Sequence, residues 1–358
     1  MIEKPGFFKI IGAAAALAGA SLAGTGPAGA QSTDFEAAFD RSLGTQTRAP
    51  QDFSAVYEGS LERQIARLAD GDKGRIGVAA IDLSTGAQIS VLGDQRFPMA
   101  STSKIAIAAT FMAGVDQGRW SLTSEYPLLR PIPSDKYSST RAPVREGNYL
   151  TARQHLDLMI SKSCNACTDA LLRVVGGPSA VNDWMRSAGI RDFQLSRDIA
   201  TLVRDDGEID PATVIDNRDS ATPKAMAQLL AGIYQGKWHG TNSRNVIIGA
   251  MENTTTGKRR MRSALPMSAN VAHKTGTLNR TASDIGIFQT PDGRAIAVAI
   301  YVTGQSISND YEKMNKQAAR LARDERIASI TRALYNGFAA DDGRNWANAQ
   351  YDSERSGG

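Results

Sequence analysis

The sequence predicts an α+β protein, an α/β sandwich. An antiparallel sheet built from both chain ends is flanked by helices and interrupted by an inserted all-helical subdomain. Three observations point there. Strand-like segments occur early, in RIGVAAIDLSTGAQISVLGD at 75–94, and late, in ANVAHKTGT, DIGIFQT and AIAVAIYVTG. The stretch between them is mainly helical in pattern. No internal repeat appears, so the two groups of strands are expected in one sheet.

Each element has its own signal. FSAVYEGSLERQIARLADG (53–71) places Leu61, Ile65 and Leu68 on one helical face and stops at Gly71. Residues 75–94 read as strand, turn, strand, with Ser84-Thr85-Gly86 as the turn. LTARQHLDLMISKS (150–163) and NACTDALLRVVGG (165–177) are helical, the second stopped by Gly176-Gly177-Pro178, and PSAVNDWMRSAGI is a short helix. Residues 191–222, rich in Asp, Arg and Gly, read as a long irregular loop. TPKAMAQLLAGIYQGKW (222–238) is a helix with Thr222 as cap and Pro223 in its first position. The late strands are joined by turns such as Pro291-Asp292-Gly293, and ERIASITRALYNGF (325–338) is a closing helix.

The first 30 residues read as a secretory signal peptide. Lys4 and Lys9 precede a small, apolar stretch too poor in large residues for a spanning helix, and Ala28-Gly29-Ala30 offers a cleavage site before Gln31. No cysteine follows that stretch to anchor a lipid. The expected product is an exported, soluble, periplasmic monomer. Residues 31–51 are expected as a flexible lead-in and 341–358 as a disordered tail. The catalytic domain should span 52–340: an α/β part (52–98 and 222–340) and a mainly helical part (99–221) carrying an omega-like loop at 197–219.

Composition sets bounds on function. The chain has 358 residues, 42% hydrophobic and 22% charged, which allows a large core without staples or metals. Its formal charge of +4 is spread out. The densest basic run, KRRMR at 258–262, reads as a solvated face, so no nucleic-acid partner is expected. The three histidines, His155, His239 and His273, form no ligand spacing with the two cysteines, so neither metal nor cofactor is expected.

FPMASTSKIAIAATFM (97–112) carries the first chemical signal. IAIAATFM is apolar or small at nearly every position, as befits a helix buried all round. Ser101 and Lys104 are three apart and share a helical face at its mouth. Backbone N–H groups there stabilise a developing alkoxide, and a desolvated lysine tends to the free amine that can take a serine proton. The bland alternative is an N-cap serine and a surface lysine.

Two further motifs follow: Ser163-Cys164-Asn165 between two helices, and His273-Lys274-Thr275-Gly276-Thr277 at the start of a strand. Together the three resemble the penicillin-recognising serine hydrolases, with S-x-x-K, S-x-N and K-[ST]-G in order. FPMAS before Ser101, VVGGP, RDSATP (218–223), RSALP (262–266) and TPDG make the likeness closest to class A β-lactamases, over about residues 52–338. The resemblance implies a β-lactamase/transpeptidase-like fold and a β-lactam or peptidoglycan-derived substrate. It implies Ser101 as the acylated nucleophile and Lys104 as its base or proton relay. Ser163 would pass a proton to the leaving nitrogen, and Asn165 would hold the substrate's side-chain amide. Lys274 and Thr275 would bind the substrate carboxylate, Gly276 completes that motif, and the N–H groups of Ser101 and Thr277 would form the oxyanion hole.

The chain also departs from that pattern. Arg197 and Asp219 match the clasp that opens and closes the family's omega loop. The glutamate expected two residues after the arginine is Ile199, the asparagine a few residues later is Val203, and the loop is longer than usual. Candidate replacement bases are Asp198, Asp205, Asp206 and Glu208, with Asp198 nearest in sequence. Asp169, where the family often has Asn, is a further candidate, against its simpler reading as a helix-surface acid. Cys164 replaces the family's bracing Asp. With Cys167 it is expected as a free thiol, a disulfide being the alternative. His273 should point away from Lys274 and bond behind the site. Arg259 and Arg280 are candidate second carboxylate binders, each expected as a surface charge. Two other functions stay open: a D,D-peptidase or esterase with the same Ser–Lys chemistry, and a non-catalytic binding protein.

Overall fold

A computed structural model describes residues 59–71 and 73–340. The signal peptide, the lead-in, the first part of the helix expected from 53, and the tail lie outside the described residues. Helix α1 (Ser60–Ala69) leads into β1 (Ile76–Asp82) and β2 (Gln88–Val91). A short β3 (Phe97–Pro98) and a 3-10 turn (Ala100–Thr102) open α2 (Ser103–Asp116). Then come the hairpin β4 (Glu125–Pro131) and β5 (Val144–Thr151), followed by α3 (Ala152–Ser161), α4 (Asn165–Val175) and α5 (Pro178–Ser187). The long loop holds β6 (Phe193–Gln194), α6 (Ile199–Arg204) and β7 (Ser220–Ala221). The chain continues with α7 (Pro223–Tyr234), α8 (Thr241–Glu252) and α9 (Met261–Ala264). It closes with β8 (Val271–Leu278), β9 (Thr281–Gln289), β10 (Ala295–Thr303), α10 (Asn309–Met314) and α11 (Lys316–Ala340).

The main sheet runs β2-β1-β10-β9-β8, and every pair is antiparallel. The early strands thus join the late ones as expected. β10 is buried at every position because both of its faces are covered. Ile296, Val298, Ile300 and Val302 pack with Ile327, Ile330 and Leu334 of α11. Ala295, Ala297, Ala299 and Tyr301 face the opposite layer, which holds α2 and α7. Small residues on that face admit close helices. α2 is buried from Ser103 through Gly114, so no amphipathic period exists to be read. β8 is the edge strand, leaving one side of Lys274-Thr275-Gly276 free of strand pairing.

Three expectations need correction. The middle of the chain is not all helical, because β4 and β5 form a separate two-stranded sheet. Pro127, Pro131 and a register shift beside Leu129 hide its alternation. The 191–222 loop is not wholly irregular: Asp198 caps α6, whose Ile199, Ala200, Thr201 and Leu202 are buried, and β6 and β7 pair beside β3. α6 is too short for a period to show. The closing helix begins at Lys316, well before 325. Among the described residues no helix is long and apolar enough to cross a membrane.

Candidate active site

Ser101 lies on the 3-10 turn that feeds α2. The residue before it, Ala100, has φ +49°, a left-handed conformation that side chains avoid and that persists only where the surroundings enforce it. The Met99 N–H donates to Asp219 O (3.0 Å), Thr102 Oγ1 donates to Met99 O (2.7 Å), and Ser103 Oγ donates to Ala100 O (2.8 Å). Thr102 Oγ1 also bonds Tyr301 Oη of β10 at 2.9 Å. The turn is thereby tied to the omega-like loop and to the sheet. The N-cap position of α2 falls to Thr102, so the reading of Ser101 as a mere N-cap fails.

Lys104 is 0% exposed, which also excludes the surface reading. Its Nζ donates to Ser163 O (2.8 Å), Ser163 Oγ (3.2 Å) and Asn165 Oδ1 (2.7 Å). Burial pushes its pKa well below the usual lysine range, the positive charge of Lys274 pushes it the same way, and Asp169 partly opposes both. Lys274, also 0% exposed, donates to Ser163 Oγ (3.0 Å) and Thr275 O (2.8 Å). Burial brings its pKa down to about 7, with Asp284 raising it and Arg260 lowering it further. Ser163 holds φ +59°, so a second left-handed residue sits in the site.

Edge strand β8 lies directly against the Ser101 turn. A Cβ on Gly276 would stand 2.7 Å from Met99 O and 3.1 Å from Ala100 Cβ, so only glycine admits this approach. Thr275 Oγ1 shares a 2.6 Å hydrogen bond with Thr256 Oγ1. Arg260 donates to Thr277 Oγ1 (2.8 Å), Gly276 O (2.8 Å) and Ser283 O (3.0 Å), and pairs with Asp324 at 2.6 Å. Sequence reasoning missed this buried guanidinium and picked its exposed neighbour Arg259. The two arginines look alike in the basic run, and only the fold separates them by burying Arg260 and leaving Arg259 exposed. Arg280, expected at the surface, is also buried and pairs with Asp210 at 3.0 Å. It ties the β8–β9 turn to the loop instead of facing a substrate. His273 does lie behind the site, with Nδ1 2.9 Å from Asp284.

The loop closes through Arg197 Nε and Asp219 Oδ2 at 2.6 Å, and Asp219 Oδ1 accepts the N–H groups of Ser196 and Arg197. Asp169 is not a helix-surface acid. Buried on α4, it accepts the N–H of Ile199 on Oδ1 (2.7 Å) and that of Ala200 on Oδ2 (2.9 Å). Burial raises its pKa to about 6, its two amide bonds and Lys104 lower it, and Asp198 raises it. The other candidate acids are occupied elsewhere. Asp198 caps α6 through Thr201 N, Asp205 pairs with Arg204, and Asp206 accepts from Asn279 N. Glu208 pairs with the exposed Arg218. Val203 is exposed on α6.

The cysteine expectation is overturned. Cys164 and Cys167 form a disulfide, with Cα atoms 5.3 Å apart. The first turn of α4 brings them within bonding range.

The fold and this cluster have clear counterparts. A model of the Beta-lactamase enzyme family matches residues 60–338. The carbapenem-hydrolyzing beta-lactamase KPC of Klebsiella oxytoca is 32% identical over 75% of this chain and 90% of its own. An ancestral class A beta-lactamase of known structure is 32% identical, with a TM-score of 0.61 over 78% of this chain and 100% of that one.

The chain belongs to the class A β-lactamase family.

Beta-lactamase VEB-1 of Pseudomonas aeruginosa is 27% identical over 75% of this chain and 92% of its own. A beta-lactamase structure from Chitinophaga pinensis superposes with a TM-score of 0.65 at 27% identity, over 78% of this chain and 99% of that one. As a class A relative, the protein is a serine β-lactamase-like hydrolase of mixed α+β fold. Its departure lies where Ile199, buried in α6, takes the position implied for a glutamate. The carboxylate beside that position comes from Asp169 instead.

Proposed function

We propose that the protein is an exported, periplasmic β-lactamase that is acylated at Ser101 and cleared by water. The observation that carries this reading is the convergence of two buried lysines on one hydroxyl, Ser163 Oγ, at 3.2 and 3.0 Å. In the acylation step Ser101 Oγ attacks the β-lactam carbonyl and gives its proton to the free amine of Lys104. The N–H groups of Ser101 and Thr277 receive the oxyanion. The C–N bond then breaks, and Ser163 Oγ hands its proton to the leaving nitrogen and is reprotonated by Lys104. Lys274 and Thr275 hold the substrate carboxylate, and Asn165 its side-chain amide.

Deacylation needs a base, and Asp169 is our candidate ahead of Asp198. It is buried, close enough to Lys104 for each to shift the other's pKa, and its own pKa of about 6 suits proton abstraction near neutrality. A water would lose a proton to Asp169 as it attacks the acyl carbon; the bond from that carbon to Ser101 Oγ would then break, and the proton held by Asp169 would return by way of Lys104 to the serine oxygen. Both acids accept backbone N–H groups, so it is the burial of Asp169 beside Lys104 that favours it over Asp198.

Ile199 favours a second reading, a penicillin-binding D,D-peptidase that stays acylated. Intact-protein mass spectrometry after mixing with a penicillin separates the two, with Ser101→Ala as control. A transient adduct with release of hydrolysed drug supports the β-lactamase, and a persistent adduct supports the peptidase. No adduct overturns both.

A further inference from the structure

The Cys164–Cys167 disulfide lies inside the site, between the two residues that hold Lys104. Ser163 and Asn165 flank Cys164, and both bond Lys104 Nζ. Cys167 is fully buried in the core, whereas Cys164 is half-buried at the N-cap of α4. The bridge therefore ties the motif's middle residue to a fixed point. Ser163 needs such a tie, because its φ of +59° is one that an L-residue relaxes from when free to do so. Relaxation would carry both its Oγ and its carbonyl away from Lys104 and Lys274.

We propose that this disulfide is a redox-sensitive positioning element: oxidised, it holds Ser163 and Asn165 in acylating geometry, and its reduction by an external thiol slows acylation without unfolding the protein. The chemistry balances with two equivalents of thiol. A thiolate attacks Sγ of Cys164, the less buried sulfur. The S–S bond breaks, and Cys167 leaves as a thiolate that takes a proton from water. A second thiolate attacks the mixed disulfide, releasing the external disulfide and the Cys164 thiolate. The arrangement suits this exchange: the Cys167 N–H donates to Cys164 Sγ at 3.1 Å, and α4 offers its N-terminus to the new anion. Reduction leaves the main-chain anchors of Cys164, from its N–H to Leu158 O and from Thr168 Oγ1 to its own carbonyl, so the fold should survive.

The inference rests on the reading of Ser101 as the acylated residue, and the test separates the two. The purified protein is compared oxidised, and after reduction by dithiothreitol with the reductant removed under anaerobic conditions. Thiol titration, thermal melting and the rate of acylation by a penicillin are measured on each. Reduction should expose the two bridged thiols and keep a cooperative melt, and reoxidation should restore the rate. The acylation rate should fall, by up to about a hundredfold if Ser163 shifts by roughly 1 Å. Cys164→Asp/Cys167→Ala, which restores an N-cap acceptor without a cross-link, should acylate like the oxidised protein whether or not reductant is present. A rate that stays within about twofold on reduction overturns the proposal, since displaced catalytic groups cost more than that. A bridge that does not reduce in the native protein also overturns it. So does a reduced chain that unfolds, because the pair would then be a staple of the fold. An oxidised protein that is never acylated overturns the reading of Ser101 itself.

Discussion

Lys104 and Lys274 donate to the same oxygen, Ser163 Oγ, from 3.2 and 3.0 Å, although one comes from the central helix and the other from the edge strand. Both are buried, and the positive charge of Lys274 makes a charge on Lys104 harder to hold. The pair divides the labour. Lys104, held well below the usual lysine range by burial, is suited to accept a proton, and Lys274 keeps one up to about pH 7.

A pH profile follows from this division. Lys274 must be protonated to bind a carboxylate, so kcat/KM should fall as pH rises through about 7. Asp169 must be ionised to act as a base, so kcat should fall as pH drops through about 6. The groups facing Lys274 are Lys104, Asp284 and Arg260, and those facing Asp169 are Lys104 and Asp198. Stability has its own sign. From pH 7 up to the ordinary lysine range, the unfolded chain holds a proton at Lys274 that the folded one lacks, so stability rises with pH there. Lys274→Met should flatten that rise in denaturant titrations and weaken carboxylate-bearing substrates. An unchanged rise would assign it to another group.

Asp169→Asn keeps an acceptor but loses the base. It should leave the acylation rate of the same order and slow deacylation by roughly 10²–10⁴-fold, the usual worth of a general base. The penicillin adduct should then persist in the mass spectrum. Normal clearance of that adduct would exclude Asp169 as the base and turn attention to Asp198.

The sequence showed the chemistry better than the scaffold. The three motifs single out Ser101, Lys104, Ser163, Asn165 and Lys274 by residue type and order, and the structure brings Lys104, Ser163, Asn165 and Lys274 together. The late strands were legible as continuous apolar runs. Arg260 was not, because adjacent arginines in a basic run look alike until one is buried. The disulfide was not, because a C-x-x-C at a helix start fits free thiols equally well. The β4–β5 hairpin was not, because it is half-exposed and interrupted by prolines.

Arg260 ties β8 and β9 together at Gly276, Thr277 and Ser283, next to the expected oxyanion donor. Arg260→Ala removes the Arg260 partner of Asp324 and one donor from each of the carbonyls of Gly276 and Ser283. It should lower stability by about 3 kcal/mol, the scale for breaking a buried pair. It should also reduce kcat/KM more than an equally destabilising change in α11. Arg260→Lys should recover part of the stability and little of the activity, because an ammonium cannot reproduce the planar fork. Thermal melts alongside kcat/KM would check this, and full recovery by lysine would refute the geometric argument.

The last prediction concerns the exchange between Asp169 and Ile199. Ile199→Glu alone would place a second carboxylate beside a buried one whose pKa is already raised to about 6. Two acids there disfavour each other's ionisation, so the single variant should fold less stably and gain little turnover. Asp169→Asn combined with Ile199→Glu removes the repulsion, and the introduced amide still offers an oxygen to the backbone N–H at position 199. The double variant should clear the acyl-enzyme faster than Asp169→Asn alone, by about tenfold or more if the new carboxylate reaches the attacking water. Single-turnover mass spectrometry on the four proteins completes the cycle. Strong non-additivity would show that the two positions share one role, the base, which this chain takes from α4 instead of α6. Additive effects would mean that Asp169 serves only to dock the loop through the N–H groups of Ile199 and Ala200.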